Sequence, residues 1–164
     1  LSDKLDLPYS KLDIKKILAL DLIEKAVITF NDYQKNKILI NKKTSDSFVL
    51  VDITKMIVVI RNIVQNSFKY ADTERGVEIT LNQKSENIVI KIRDYGPGVS
   101  SEEGEKIFEP FFRSENIKKI SGIGLGLSIS KKIILSHNGN IKLNSTPRGA
   151  EFEITLPIKG ETYD

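Results

Sequence analysis

Cysteine is absent from this chain of 164 residues, and histidine occurs only once, as His137. The absence of cysteine excludes disulfides, cysteine-ligated zinc and thiol catalysis. The sequence also lacks any apolar run near the roughly 20 residues that a membrane-spanning helix needs. Residues 1–4 contain neither an initiator Met nor a signal-peptide pattern. We therefore expect a cytoplasmic domain of a longer protein. Whether that protein has an inner-membrane anchor stays open.

A strong charge of either sign is lacking too, because 25 basic residues face 22 acidic ones, for a net charge of +3. The densest basic stretch, residues 35–43, alternates partly with apolar residues and contains no aromatic side chain. Such a pattern is typical of a solvated edge strand rather than a nucleic-acid site. We expect no nucleic-acid partner. The hydrophobic content of 40% suffices for one packed domain.

Hydrophobic periodicity predicts three helices and six strands. The predicted helices cover Ile14–Phe30 after an Asp13 cap, a segment capped by Asp52 or Thr54 that ends at about Tyr70, and Leu127–Ser136. The predicted strands cover Lys37–Asn41, Phe48–Val51, Val77–Leu81, Ile88–Arg93, Asn140–Asn144 and Ala150–Leu156. This grouping predicts an α/β two-layer sandwich, in which a mixed, mostly antiparallel sheet packs against about three helices.

Three polar residues of the central helix, Asn62, Asn66 and Lys69, follow one another at spacings of four and three residues. They therefore share one face of the helix. Polar groups that face a core without partners cost several kcal/mol, so this face needs solvent or a ligand. Amide oxygens suit Mg²⁺, which takes few protein ligands and keeps waters and phosphate oxygens. A solvated stripe is the alternative to a metal and phosphate site.

Asp94 closes a predicted strand and begins the sequence Asp94-Tyr95-Gly96-Pro97-Gly98. A carboxylate there can accept a hydrogen bond from the N6 amine of adenine, whereas guanine would present its O6 acceptor. The glycines allow the backbone to approach a base closely. An ordinary loop turn is the alternative, and the preceding strand together with the asparagine helix favours the nucleotide.

The glycine-rich run at residues 122–126 precedes the last predicted helix. It places backbone N–H groups and a helix N-terminus where phosphates can bind. It is not a Walker motif, since no Gly-Lys-Ser/Thr follows, and no dinucleotide-type βαβ unit surrounds it. Residues 96–121 have few apolar anchors and predict a functional lid. We expect Phe108, Phe111 and Phe112 to anchor this lid on the core.

Four segments of the chain, residues 61–71, 94–98, 107–113 and 122–127, carry these motifs. In this order they resemble the N, G1, F and G2 boxes of the sensor histidine kinase catalytic domain. The resemblance extends from about Leu5 to Pro157. It implies a Bergerat-type ATP-binding fold with ATP and Mg²⁺ as cofactors. It also implies a linker at residues 1–11 and one catalytic domain at residues 12–164.

The resemblance implies roles for individual residues as well. Asn66 is the expected Mg²⁺ ligand, with Asn62 as its companion in the metal shell. Tyr70 is expected to flank the adenine. The implied catalytic residues are Asn66, Lys69 and Arg113, of which the last two would contact phosphate. The residues implied for ATP binding are Asn62, Asn66, Lys69, Tyr70, Asp94, Gly96, Gly98, Ile107, Phe112, Gly122, Gly124, Leu125, Gly126 and Leu127.

Two residues depart from the family pattern. The last glycine box usually has Thr after its glycine, whereas Ala150 follows Gly149 here. A polar contact near the base would then be absent or replaced by water. Tyr95 stands where the family usually has a small polar residue. Neither change removes a metal or phosphate ligand.

The same nucleotide fold occurs in DNA gyrase B, mismatch-repair ATPases, heat-shock chaperone ATPases and anti-sigma serine kinases. Those families have a glutamate one helical turn before the metal-binding asparagine. Asn62 stands there in this chain and cannot act as a general base, which favours a histidine kinase. His137 is expected to be structural, so the phosphoacceptor histidine should lie upstream of Leu1. An ATPase or serine kinase of this superfamily and a degenerate nucleotide-sensing scaffold are the alternatives.

The resemblance therefore implies a protein-histidine kinase domain of two-component signal transduction. Its expected partners are ATP, an upstream dimerisation and phosphoacceptor domain, and a response regulator that binds the full-length protein. We expect the full-length protein to be a homodimer and this chain alone to be a monomer.

Overall fold

The computed structural model describes residues 11–70, 75–99, 102–110, 112 and 126–158. Its helices are α1 (Ala19–Val27), α2 (Asp32–Lys35), α3 (Ile53–Tyr70) and α4 (Gly126–Ser136), with a 3-10 helix at Lys106–Phe108. Its strands are β1 (Ile14–Leu18), β2 (Ile38–Lys42), β3 (Phe48–Asp52), β4 (Val77–Lys84), β5 (Asn87–Arg93), β6 (Asn140–Asn144) and β7 (Glu151–Pro157). The predicted linker lies almost entirely outside the described residues.

A five-stranded sheet in the order β2-β4-β5-β7-β6 forms one layer of the domain. β2 runs parallel to β4, and the other neighbouring strands are antiparallel. Alternate residues of the inner strands, such as Ile79, Ile90 and Ile154, are fully buried, as expected where one face of a sheet packs on helices. The predicted mixed sheet and two-layer sandwich are confirmed. β2 is an edge strand, as predicted for the basic stretch.

α3 is the central helix, in contact with both α1 and α4. It begins after Asp52, whose carboxylate accepts a hydrogen bond from the Lys55 N–H at 3.1 Å. This bond satisfies one of the N–H groups that the first turn leaves unpaired, as the predicted cap requires. The inward face of α3 is fully buried and consists of Met56, Val59, Ile60, Ile63 and Val64. Across the described ranges, no helix is long and apolar enough to cross a membrane.

The helix predicted for Ile14–Phe30 is wrong over its first third. Residues Ile14–Leu18 form a strand that pairs antiparallel with β3 in a separate two-stranded sheet. Its apolar residues suit a helical period as well as a short strand, and only the pairing partner distinguishes the two. Asp13 is not a helix cap, because a strand rather than a helix follows it, and its backbone N–H donates to the Asp52 carboxylate at 3.0 Å. The short helix α2 was not predicted.

Candidate functional site

The polar stripe of α3 faces a cavity of about 420 Å³. The cavity is lined by Gln34, Asn62, Gln65, Asn66, Phe68, Lys69 and Gly126. Asn62 and Asn66 are half-buried and Lys69 is exposed, whereas the opposite face of the helix lies in the core. The three stripe residues predicted from the sequence therefore line one cavity, together with the first residue of α4.

α4 begins at the edge of this cavity. A Cβ atom placed on Gly126 would lie 3.9 Å from Cγ of Asn62, so the first turn of α4 is close to the stripe. Leu127, the second residue of this 11-residue helix, is half-buried. The N–H groups of a first helical turn have no partner within the helix and carry a partial positive charge. Such a helix end beside amide side chains suits a phosphate.

Asp94 is buried at the end of β5, with 6% of its surface exposed. Its Oδ1 accepts hydrogen bonds from the N–H groups of Gly96 at 2.9 Å and Ala150 at 3.2 Å. Burial raises the pKa of the Asp94 carboxyl, although these donors, Arg93 and the Ser67 hydroxyl act in the opposite direction. Because both backbone donors hold the same oxygen, the carboxyl group has a fixed orientation. Ala150 contributes its main chain at this position rather than a hydroxyl.

Two glycines bring the loop after β5 against the loop before β7. Gly149 has a φ of +85°, and a Cβ there would lie 2.1 Å from the carbonyl oxygen of Asp94. Gly98 has a φ of +77°, and its Cβ would lie 2.7 Å from the carbonyl oxygen of Gly149. Only glycine tolerates both the backbone conformation and the close approach. The last glycine box therefore packs directly on the Asp94 loop, in which Gly96 is buried.

The 3-10 helix provides an apolar anchor within the predicted lid. Ile107 and Phe108 are buried, and the Phe108 ring meets Phe152 edge to face at 6.2 Å between centroids. Phe112 is half-buried and packs against the core. The remaining predicted residues of this region lie outside the described residues, namely Phe111, Arg113, Gly122, Gly124 and Leu125. The side chain of Tyr70 lies outside the description as well.

The family described as histidine kinase-, DNA gyrase B-, and HSP90-like ATPase matches residues 51–160. The chain belongs to this ATPase family. The matched residues include α3, the Asp94 loop and α4, so the buried carboxylate and most of the cavity lie within the region that the family shares. Gln34 lies outside it.

Relatives of this ATPase domain include curated sensor kinases. The sensor protein kinase WalK of Staphylococcus epidermidis is 34% identical over 171 residues, which cover 93% of this chain and 27% of WalK. The chain therefore spans about a quarter of the length of this relative.

Solved structures similar to this ATPase domain include the catalytic domain of histidine kinase ThkA. Its TM-score is 0.78 at 27% identity, with 92% of this chain and 100% of that chain covered. ThkA in complex with the response regulator protein TrrA gives a TM-score of 0.76 at 29% identity, covering 95% of this chain and 46% of that chain. The predicted fold class and the resemblance to histidine kinase catalytic domains are confirmed.

His137, the single histidine, is buried with 3% of its surface exposed. Its Nε2 accepts a hydrogen bond from the Asp52 N–H at 2.9 Å, and Nδ1 lies 2.7 Å from the Ile133 carbonyl oxygen. These contacts assign the neutral ring with the proton on Nδ1, because Nε2 must accept and a carbonyl oxygen cannot donate. Burial lowers the pKa of this imidazole. His137 is the satisfied structural histidine that the sequence predicted.

Three residues of the cavity were missed by the sequence reasoning, namely Gln34, Gln65 and Phe68. Gln65 and Phe68 lie within the asparagine segment of α3, and helix geometry could have placed them beside the stripe. Gln34 gave no such signal, because it belongs to the four-residue helix α2 and is remote in sequence from every motif. The position of Gln34 depends on the packing of α2 beside α3.

Tyr95, the unusual residue beside Asp94, contacts side chains of β4 and β5. Its hydroxyl donates a hydrogen bond to the Glu78 carboxylate, which raises the pKa of the tyrosine. The guanidinium groups of Arg75 and Arg93 lie 3.9 Å and 4.5 Å from the centre of its ring, within cation–π range. Glu78 and Arg93 are partners in the register of β4 and β5, so the sheet itself assembles this cluster.

Proposed function

We propose that this chain is the ATP-binding catalytic domain of a two-component sensor histidine kinase. It transfers the γ-phosphoryl group of ATP to a histidine on a separate dimerisation domain. The observation that carries this proposal is the open face of α3, where two amides and an amine line a cavity beside the first residue of α4. The position one turn before Asn66 is held by an amide, Asn62, rather than by a glutamate base.

The adenine base binds beside Asp94 in this proposal. Two backbone donors already occupy Oδ1, so the remaining acceptor capacity of the carboxyl group serves the N6 amine. The neighbouring glycine loops allow a flat base to approach the backbone. Guanine is disfavoured because its O6 acceptor would face the carboxylate. Tyr70, Gly96, Gly98, Ile107 and Phe112 complete the proposed binding surface.

A magnesium ion fits the two amides of the stripe. Asn62 and Asn66 are one turn apart, and both side chains line the cavity. Amide oxygens are hard ligands, and Mg²⁺ is commonly held by few protein groups and several phosphate oxygens. We assign Asn66 as the ligand and Asn62 as its companion. When bound, the ion neutralises charge on the phosphate oxygens and orients them.

Lys69 and the N-terminus of α4 would bind the phosphates of ATP. Lys69 lines the same cavity as Asn66 and supplies a positive charge. Gly126 and Leu127 contribute the first N–H groups of the helix. The resemblance to the kinase boxes implies that Arg113 and the backbone of Gly122, Gly124 and Leu125 bind phosphate as well.

In the proposed reaction, a neutral imidazole nitrogen attacks the γ-phosphorus. A nitrogen–phosphorus bond forms, the bond to the β,γ-bridging oxygen breaks, and ADP leaves with the electron pair. The phosphorylated ring then releases its N–H proton to solvent. Imidazole is a competent nucleophile without a base, which is compatible with Asn62 in place of glutamate. Phosphoryl transfer rests on positioning and charge neutralisation.

The full-length protein supplies the other parts of the pathway. Its upstream region carries the phosphoacceptor histidine and dimerises, and the phosphoryl group then passes to a response regulator. The complex of the similar kinase ThkA with the response regulator TrrA supports this pairing. The catalytic domain works in the cytoplasm, and a membrane anchor in the full-length protein is compatible with the sensor-kinase relatives.

Labelled ATP tests the proposal directly. The chain is incubated with γ-labelled ATP and Mg²⁺, alone and with a separate fragment that carries the upstream histidine. We expect label on the fragment and none on the chain, because both nitrogens of the buried His137 are engaged. Stoichiometric label on His137 would contradict the proposal. So would steady ATP hydrolysis that Asn62→Ala abolishes, since this result would assign the chain to the ATPase branch.

A further inference from the structure

The cavity has a second wall that ATP binding does not explain. Gln34 on α2 and Gln65 on α3 line it together with Asn62, Asn66 and Lys69. Gln34 is half-buried and Gln65 is exposed. We call these two side chains the amide rim. They come from different elements, and neither belongs to the roles assigned to metal or phosphate.

The amide rim lies at the phosphate end of the site. The residues that line the cavity with it include Asn66, Lys69 and Gly126 but not Asp94. Gln34 also lies outside residues 51–160, which the ATPase family shares. The family description joins kinases with ATPases, so its shared region serves the common substrate, ATP. Gln34, which is contributed from outside that region, is suited to the substrate that differs, the phosphoryl acceptor, and Gln65 lines the same cavity.

The backbone that carries Gln34 is anchored at both the cap of α2 and the segment before it. Its backbone N–H donates to the Asn31 side chain at 2.8 Å, which caps α2. Just before α2, the Arg61 guanidinium of α3 donates to the Thr29 carbonyl oxygen at 3.2 Å and lies 4.8 Å from the centre of the Phe30 ring. α2 is thereby tied to the helix that carries the stripe. A backbone anchored in this way places the Gln34 side chain at the cavity, where it can orient a reactant beside the phosphate.

The chemistry of an amide suits a neutral imidazole. A primary amide donates and accepts hydrogen bonds and carries no charge. A carboxylate in its place would repel the γ-phosphate and favour the protonated ring, which has no lone pair for the attack. We propose that Gln34 and Gln65 bind the histidine-bearing segment of the upstream domain as it approaches the γ-phosphate. This inference rests on the proposed kinase function, and it makes both glutamines positioning residues for the acceptor.

Steady-state transfer kinetics test this inference. Gln34→Ala, Gln65→Ala and the double variant are assayed with γ-labelled ATP and a separate fragment that carries the upstream histidine. The similar catalytic domain of ThkA was solved as a separate domain, and this chain has its own buried core. We expect each single variant to raise KM for the fragment by about 3–10-fold, the effect of one lost hydrogen bond. ATP affinity measured by calorimetry should stay within about twofold of the wild-type value, because the lost hydrogen bond is to the acceptor and not to ATP.

Lys35→Ala is the matched control on α2. Lys35 does not line the cavity, and its contact with Asp32 at 3.3 Å is an ion pair with an exposed partner, which contributes little. The Lys35→Ala variant should leave both KM for the fragment and ATP affinity unchanged. This result would exclude a general disturbance of α2 as the cause of the glutamine effects. Weaker ATP binding with an unchanged acceptor KM in the glutamine variants would overturn the inference and leave the kinase function intact. A wild-type chain that binds ATP but labels no fragment would overturn the proposed function itself.

Discussion

The two ends of the proposed nucleotide site are built in different ways. At the base end, Asp94 is buried and two backbone N–H groups hold one of its oxygens. At the phosphate end, Asn66 and Lys69 extend from one helix face into an open cavity. Folding alone sets the geometry of the first end, whereas in the proposed function nucleotide and metal complete the second. Changes at the base end should alter which nucleotide binds, and changes at the phosphate end should alter whether the phosphoryl group moves.

Asn66→Ala should have the largest effect. Loss of the proposed metal ligand is expected to lower phosphoryl transfer by about 100-fold or more. The fold should remain, because Asn66 faces the cavity rather than the core, and such substitutions usually change the free energy of unfolding by less than about 1 kcal/mol. Transfer of label from γ-labelled ATP and thermal unfolding measure the two quantities.

The matched control for this experiment is Asn41→Ala on the edge strand β2, where the side chain is exposed and lines no part of the cavity. It should change neither transfer nor stability. If Asn66→Ala unfolds the domain while the surviving protein transfers phosphate at the wild-type rate, the stripe is structural. The contrast between the two ends would then fail at the phosphate end.

Asp94→Asn should change the choice of nucleotide. The amide oxygen can still accept the N–H groups of Gly96 and Ala150, so the loop keeps its geometry. The amide nitrogen then meets the N6 amine of adenine as donor against donor. We expect ATP binding to weaken by about 1–3 kcal/mol and the preference for ATP over GTP to decrease. Calorimetric titration with both nucleotides measures this, and an unchanged preference would refute the role of Asp94.

The contrast also separates what the sequence could predict from what it could not. The stripe on α3, the position of Asp94 at a strand end and the start of α4 are local patterns, which helical spacing and strand ends predict. The orientation of the Asp94 carboxyl is not local, because the N–H of Ala150, distant in sequence, holds it. Gln34 enters the site only through the packing of α2 beside α3. Likewise, Ile14–Leu18 is a strand only because β3 pairs with it. Features that depend on a partner far along the chain cannot be predicted from the periodicity of a single sequence.

His137 links the two helices that form the phosphate end. It lies just after α4, and its Nε2 accepts the N–H of Asp52 before α3. Burial lowers its pKa below the usual 6.5, so between these values the unfolded chain binds a proton that the folded chain does not. Stability should therefore fall as the pH drops below about 6.5, by at most about 1.4 kcal/mol per pH unit. Urea unfolding between pH 5 and 8 measures this slope.

A His137→Gln variant is the control for this titration. A glutamine can accept the Asp52 N–H but does not titrate, so the slope between pH 5 and 6.5 should flatten. Asp52 and Lys55 are the charged groups that act on the ring. Despite burial, hydrogen bonds from Asp13 and Lys55 lower the pKa of the Asp52 carboxyl, so it stays ionised in this window and leaves the interpretation unchanged. A slope equal to that of the wild type would show that other groups cause the pH dependence.

Tyr95→Phe should have the smallest effect of these changes. It tests whether the backbone alone sets the geometry of the base end. The change removes the hydroxyl that donates to Glu78 and keeps the ring in contact with two guanidinium groups, so we expect a loss of about 0.5–1 kcal/mol in the free energy of unfolding. ATP affinity should barely change, because backbone N–H groups rather than Tyr95 hold the Asp94 carboxylate. Urea unfolding and calorimetric ATP titration test both expectations, with the exposed Tyr33→Phe as the matched control. If Tyr95→Phe weakened ATP binding tenfold at unchanged stability, the carboxylate would depend on this side chain, and the base end would not be set by the backbone alone.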